Sequence, residues 1–205
     1  MAILSHDESD IKKMIFNGVE LDSAYFDDDV AYEAWDGVVP LPSVVNPAVS
    51  VSKATGSTEQ GTCYFKPKID FYGYDNSNWG ICSASMSGSA KTAVLDIKES
   101  SKDTIKIEGS WSTNHYAYVS EKGYSAAMSI KISDGTITRT VGSDSNTART
   151  GTTSFSYAVN IAGMDKSKLH LLFGASWSMS YDLNAPGTWY FNGYVNISVG
   201  SIICS

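Results

Sequence analysis

Two short stretches of the chain hold the side chains best suited to recognising a ligand. "FYGYDNSNWG", residues 71–80, sets Tyr72, Tyr74 and Trp79 beside Asp75, Asn76 and Asn78, and "WSTNHYAYVS", residues 111–120, adds His115, Tyr116 and Tyr118. Flat aromatic faces stack on sugar rings while Asp and Asn bind hydroxyls, so these residues form a candidate glycan platform. They equally suit a protein interface, where Tyr and Trp supply large contact area at little conformational cost. Alternate members such as Phe71 and Trp111 are expected in the core instead. A further row, Tyr190, Asn192, Tyr194 and Asn196, falls on the outer face of a strand. Burial against a second copy accounts for a Tyr/Asn stripe, so a homo-oligomer is expected through it.

Signatures of catalysis are scarce. The sequence has no Gly-x-Ser-x-Gly elbow, no His-Glu-x-x-His, no Gly-x-x-x-x-Gly-Lys and no Gly-x-Gly-x-x-Gly. Its three histidines, His6, His115 and His170, are isolated, and His170, between Leu169 and Leu171, reads as a surface or rim residue. Without Cys-x-x-Cys the usual zinc frameworks are missing, and Asp27-Asp28-Asp29 lacks the alternate spacing and glycine bend of a calcium loop, so it reads as a solvated turn. Carboxylates for glycoside hydrolysis, Asp70, Asp75, Glu108 and Asp182, are present but nothing selects a pair. The expectation is a protein that is not an enzyme, with no cofactor and no metal, a glycan hydrolase ranking last.

Composition narrows the partners. The net charge of −7, with no run of Lys or Arg, gives no positive field for nucleic acid. No stretch of about 18 apolar residues offers a membrane span, and the first residues lack a signal peptide's basic and apolar runs, so synthesis in a cytoplasm is expected. Cys63, Cys82 and Cys204 are odd in number; they are buried thiols, or Cys63 and Cys82 pair in an oxidising compartment.

The elements that must position these residues are strands. In "TIKIEGSWS" Ile105, Ile107 and Trp111 share one face, and in "LHLLFGASWSMSY" Leu169, Leu171, Phe173, Ala175, Trp177, Met179 and Tyr181 alternate with small or polar residues. Asp134-Gly135 predicts a hairpin after Met128, Ile130 and Ile132. Trp189, Phe191, Val195, Ile197 and Val199 predict one continuous strand with a bulge at Gly193. Further strands are expected near 63–73, 81–87, 92–98 and 153–159, and "NIAGMDKSK" makes at most one helical turn. Eight or nine strands with turn signals between them suit an all-β, antiparallel, jelly-roll-like β-sandwich over residues 62–205. Residues 38–61, with three of the five prolines and then a Ser/Thr/Gly drift, read as a linker, or as a first edge strand at Val49 to Val51.

Residues 1–37 hold a strand-turn-strand phrase written twice. Met14, Ile15 and Phe16 lead through Asn17-Gly18 to Val19, Glu20 and Leu21; Tyr25 and Phe26 lead through the aspartates to Val30, Ala31 and Tyr32, with one residue added. With Lys12, Lys13 and Trp35, this phrase resembles a short module of structural proteins of tailed bacteriophages and prophages. The second copy departs from that pattern where the aspartates replace Asn-Gly. The resemblance implies a small β-hairpin attachment module in which Asn17, Gly18, Val19, Tyr25, Tyr32 and Trp35 make assembly contacts. It implies a virion structural protein of the tail, baseplate or a fibre, located in the virion, with other virion proteins and possible host-surface glycans as partners. A carbohydrate-binding module or lectin is the alternative, and capsid decoration or a head fibre the second.

Overall fold

The computed structural model describes residues 14–16, 19–21, 23–26, 29–33, 36–53, 57–64, 68–75, 80–97, 101–117, 120–148, 150–183 and 189–205, with side chains described for 36–44, 85–97, 101–115, 123–148, 150–180 and 193–205. Strands follow in chain order as β1 (Met14–Phe16), β2 (Val19–Leu21), β3 (Ser23–Phe26), β4 (Asp29–Glu33), β5 (Val44–Lys53), β6 (Ser57–Tyr64), β7 (Lys68–Asp75), β8 (Gly80–Thr92), β9 (Thr104–Ala117), β10 (Ser120–Ser133), β11 (Thr138–Asn146), β12 (Thr150–Asn160), β13 (His170–Leu183) and β14 (Trp189–Cys204). Among the described residues helix is confined to one 3-10 turn, Lys166–Lys168, capped by the Asp165 side chain, within the stretch where a single turn was expected.

Eight of these strands form nested antiparallel pairs: β7 with β14, β8 with β13, β9 with β12 and β10 with β11. Wrapping that ribbon places alternate pairs in opposite sheets, joined by the new pairings β14 with β9 and β13 with β10. This is jelly-roll topology. β5 then adds beside β8 and β6 beside β7, giving sheet I, β11-β10-β13-β8-β5, and sheet II, β12-β9-β14-β7-β6.

Strict alternation fills the space between them. Sheet I contributes Met86, Met128, Ile130, Ile132, Leu171, Phe173, Trp177 and Met179; sheet II contributes Ile105, Ile107, Trp111, Phe155, Val195 and Ile197. The alternation anticipated through residues 169–179 is therefore the inward face of β13. A polar bridge crosses this core: the His115 ring on β9 stacks on Tyr124 of β10 at 3.8 Å between centroids, and Thr113 Oγ1 hydrogen-bonds the Tyr124 hydroxyl. Tyr124 in turn meets Trp177 edge-on.

Loops cross-link at one pole. The Asp134 carboxylate accepts from the backbone N–H groups of Thr136 and Ile137 in its own turn and of Asp165 in the β12–β13 connection. These donors, Ile137 foremost, hold its pKa down to about 2. Gly135, at φ +92°, supplies the left-handed residue of this turn. Nearby, Leu95 N–H donates to Leu169, Ala93 to Ser43 and Ile161 to Asp103. Val38 pairs with Ile203, and Thr104 exchanges backbone bonds with Ser205, so the sandwich is entered and left at this pole.

Several expectations need correction. The 38–61 segment is no linker: Val38 and Val39 pair against the end of β14, and β5 and β6 are edge strands, the alternative weighed for Val49 to Val51. Its prolines misled because Pro47 sits in the register shift between Val45 and Ala48, a place on an edge strand where a missing N–H costs no ladder bond. The strand expected at 92–98 ends at Thr92, and Ala93 to Ile97 runs on as extended chain bonded to other loops. β14 is continuous as expected, but its irregularity lies between Val199 and Ser201, not at Gly193. His170 is buried rather than on the rim, with Nδ1 3.1 Å from the Lys168 carbonyl. Near the N-terminus, β1 pairs with β2 and β3 with β4, the second pair with a shift between Ala24 and Tyr25 that absorbs the added residue.

Candidate functional site

The register of sheet II joins the two polar-aromatic sets that the sequence presented separately. On β9 and β14, Trp111, Thr113, Val195 and Ile197 are buried, so Ser112, Asn114, Tyr194 and Asn196 face outward, Asn114 exposed and the others half-buried. Counting along the strands by twos extends that outer face. One row across it runs Gln60, Tyr72, Asn192, Tyr116; the next runs Thr62, Asp70, Tyr194, Asn114, Thr150; a third runs Tyr64, Lys68, Asn196, Ser112, Thr152. Tyr74 and Tyr190 are register partners beyond the first row.

Tyr72, Tyr74, Tyr116, Tyr190, Asn192, Tyr194 and Asn196 thus occupy one face of one sheet. His115 does not join them. At 2% exposure it belongs to the interior, one residue and therefore one face away from Asn114 and Tyr116. Trp79, Tyr118, Trp35, Asn17 and Gly18 lie outside the described residues, and Val19, Tyr25 and Tyr32 are placed only by their hairpin partners Phe16, Val30 and Ala24.

Sequence reasoning passes over Gln60 and Asn114, and names Asp70 only among the carboxylates for glycoside hydrolysis. Asn114 was within reach, because the period that turns Trp111 and Thr113 inward turns residues 112, 114 and 116 outward. Gln60 needed the register of β6 against β7, which no local pattern supplies.

The polar-aromatic rows sit toward the start of β14, and the sandwich's entry pole lies at its other end. Twelve strand residues separate Asn192 from Cys204, about 40 Å of extended chain. Toward that pole the face becomes Ser110, Ser154 and Ser198, then Glu108. The Glu108 carboxylate pairs with Lys106 Nζ at 2.7 Å, which lowers its pKa, and also accepts from Ser156 and Ser201.

Gly193 fixes how closely β14 and β9 approach beneath the rows. A Cβ at this position would lie 2.6 Å from the Asn114 carbonyl oxygen and 3.1 Å from His115 Cβ. Only glycine lets the two strands bring Asn192, Tyr194, Asn114 and Tyr116 together at this spacing.

The outer face of sheet I differs in kind. A shallow depression of about 650 Å³ there is lined by Ser87, Ala127, Ser129, Ser145, Gly174 and Ser176 among others, with no aromatic residue. It offers hydroxyls but no stacking surface. Among the described residues, no group of three or more His, Cys, Asp or Glu is placed to hold a metal ion.

The chain is an all-β antiparallel sandwich of two five-stranded sheets. No family model matches it, and no curated protein matches its sequence. The carbohydrate-binding module TmCBM61, solved with β-1,4-galactotriose, aligns over 78% of this chain and 88% of its own at 14% identity and a TM-score of 0.34. The N-terminal cellulose-binding domain of Cellulomonas fimi β-1,4-glucanase C aligns over 71% and 88%, at 11% and 0.26. The enzymatically active domain of bacteriophage CBA120 tailspike protein 4 aligns over 78% of this chain and 19% of its own, at 13% and 0.25.

Proposed function

We propose that this protein is a non-catalytic glycan-binding domain that attaches to a sugar-bearing surface through the outer face of sheet II. One observation carries the reading: the register gathers five tyrosines, Tyr72, Tyr74, Tyr116, Tyr190 and Tyr194, with Asn114, Asn192, Asn196, Asp70 and Gln60 on a single face. Tyrosine rings give stacking area, and the amides and carboxylate are the acceptors and donors that hydroxyls require. The test is a glycan array probed with the full chain and with Tyr194→Ala, Asn114→Ala and Asn192→Ala, each first shown to be folded by circular dichroism. Loss of binding in these variants supports the reading. Binding to no glycan, or binding indifferent to all three, overturns it.

A placement on a virion is the second reading, and the entry pole favours it. Val38, Leu41 and Val94 are exposed large apolar residues, and all three belong to the segments meeting at the pole from which the N-terminal hairpins lead. On this reading the hairpins and pole mount the chain on a larger particle and the tyrosine rows point away from it. Removing residues 1–35 then abolishes incorporation into particles and leaves glycan binding intact. Self-association through the same tyrosine face is the competing use of that surface. Sedimentation of a single monomeric species at micromolar concentration removes it.

A further inference from the structure

Resting on the glycan-binding reading, we infer that the ligand is an uncharged polysaccharide bound as an extended segment across the strands of sheet II, and not an acidic glycan or a single terminal sugar. Charge gives the first half. The chain carries −7 overall, yet the tyrosine rows hold only Lys68 and Asp70, two positions apart on β7 and opposite in sign. At the other end of the same face Lys106 and Glu108 neutralise each other directly. The outer face of sheet II, from Thr58 on β6 to Ser156 on β12, therefore sums to zero formal charge by register. A polyanion would find no cationic anchor here and would meet a net negative molecule around it. Neutral hydroxyls meet Asn, Gln, Ser, Thr and Tyr, groups that both donate and accept.

Geometry gives the second half. The row Gln60, Tyr72, Asn192, Tyr116 crosses four neighbouring strands and the row Thr62, Asp70, Tyr194, Asn114, Thr150 crosses five. At about 4.8 Å between strands these rows extend for roughly 14 and 19 Å, and they lie about 7 Å apart, two residues along a strand. That is a ribbon, longer than one sugar ring and about one ring wide. Its polar groups repeat along its length, so a chain laid on it gains contacts with each added unit.

The experiment is calorimetric titration of the full chain with neutral gluco- and galacto-oligosaccharides of one to six units, and with hyaluronate and dextran sulfate, at low and high salt. The expected result is affinity rising about tenfold or more between one and four neutral units, as each unit adds hydrogen bonds worth a fraction of that factor. Affinity should change less than about twofold between 50 and 500 mM salt, because no ion pairs are screened. Salt-sensitive binding of either polyanion, or full affinity for a monosaccharide, overturns this inference while leaving the glycan-binding reading in place. Loss of all binding in Asn192→Ala alone, with neutral chains still length-dependent in the parent protein, supports the position of the ribbon. Absence of binding to every probe overturns the inference together with the reading beneath it.

Discussion

Gly193 offers the sharpest test of the way the tyrosine face is built. In Gly193→Ala the new methyl group would sit 2.6 Å from the Asn114 carbonyl oxygen, a backbone atom that cannot swing aside, with His115 Cα and Cβ at 3.2 and 3.1 Å behind it. Relief requires β14 to lift from β9. Overpacking of this kind costs about 1–3 kcal/mol. For a domain of this size each kcal/mol shifts Tm by about 2–4 °C, so the variant should melt about 2–12 °C lower. Gly200 on the same strand is the control: a methyl group added there would have the Glu108 carbonyl oxygen as its nearest neighbour, at 3.6 Å, ordinary contact distance. Because glycine in a strand is entropically costly, Gly200→Ala should be neutral or stabilising by up to about 1 kcal/mol. Urea unfolding followed by tryptophan fluorescence measures both, and titration with the best glycan shows whether the lifted strand also weakens binding. Equal stability in the two variants would refute the close β14–β9 approach on which the face depends.

Acid should expose the pole's dependence on Asp134. Its folded pKa, near 2, lies below the roughly 3.9 of an unfolded aspartate, so its stabilising contribution is complete above about pH 5 and is lost as the pH falls through 2. Asp134→Asn should thus be less stable than the parent at neutral pH, with the gap closing towards pH 2; a gap constant from pH 2 to 6 would contradict this. Trp111 Nε1 donates to Asp144 Oδ2 at 2.7 Å, so Trp111→Phe should lose about 1.5–3 kcal/mol, and a double-mutant cycle with Asp144→Ala should show coupling, not additivity. A chain starting at residue 36 should fold like the parent, whereas one starting at residue 58 loses β5 and the buried Val39 and should aggregate or melt markedly lower by calorimetry.

Side-chain period made most of the sandwich legible. Residues 105–111, 128–132 and 169–179 alternate because each strand lies between a core and water, and the same arithmetic turns Tyr194 and Asn196 outward beside buried Val195 and Ile197. Sheet order was not legible, since β9 meets β14 across some eighty residues of sequence and nothing local encodes that pairing. Proline signals a linker in residues 38–61, although at Pro47 it marks an edge strand. Proximity in sequence groups His115 with Tyr116, against the two-residue period that puts His115 in the core. The unity of the candidate face was hidden for the same reason as the sheet order: Tyr72, Asn192 and Tyr116 are distant in sequence and meet only through register.

The sandwich has four edge strands: β5 and β6 lie on one flank of the two sheets, β11 and β12 on the other. Two of these four strands are interrupted in register, β5 at Pro47 and β11 opposite Ile130 and Lys131. A broken ladder is a poor template for a foreign strand. Each flank thus has one edge that resists a foreign strand, so copies crowded side by side zip together edge to edge less readily.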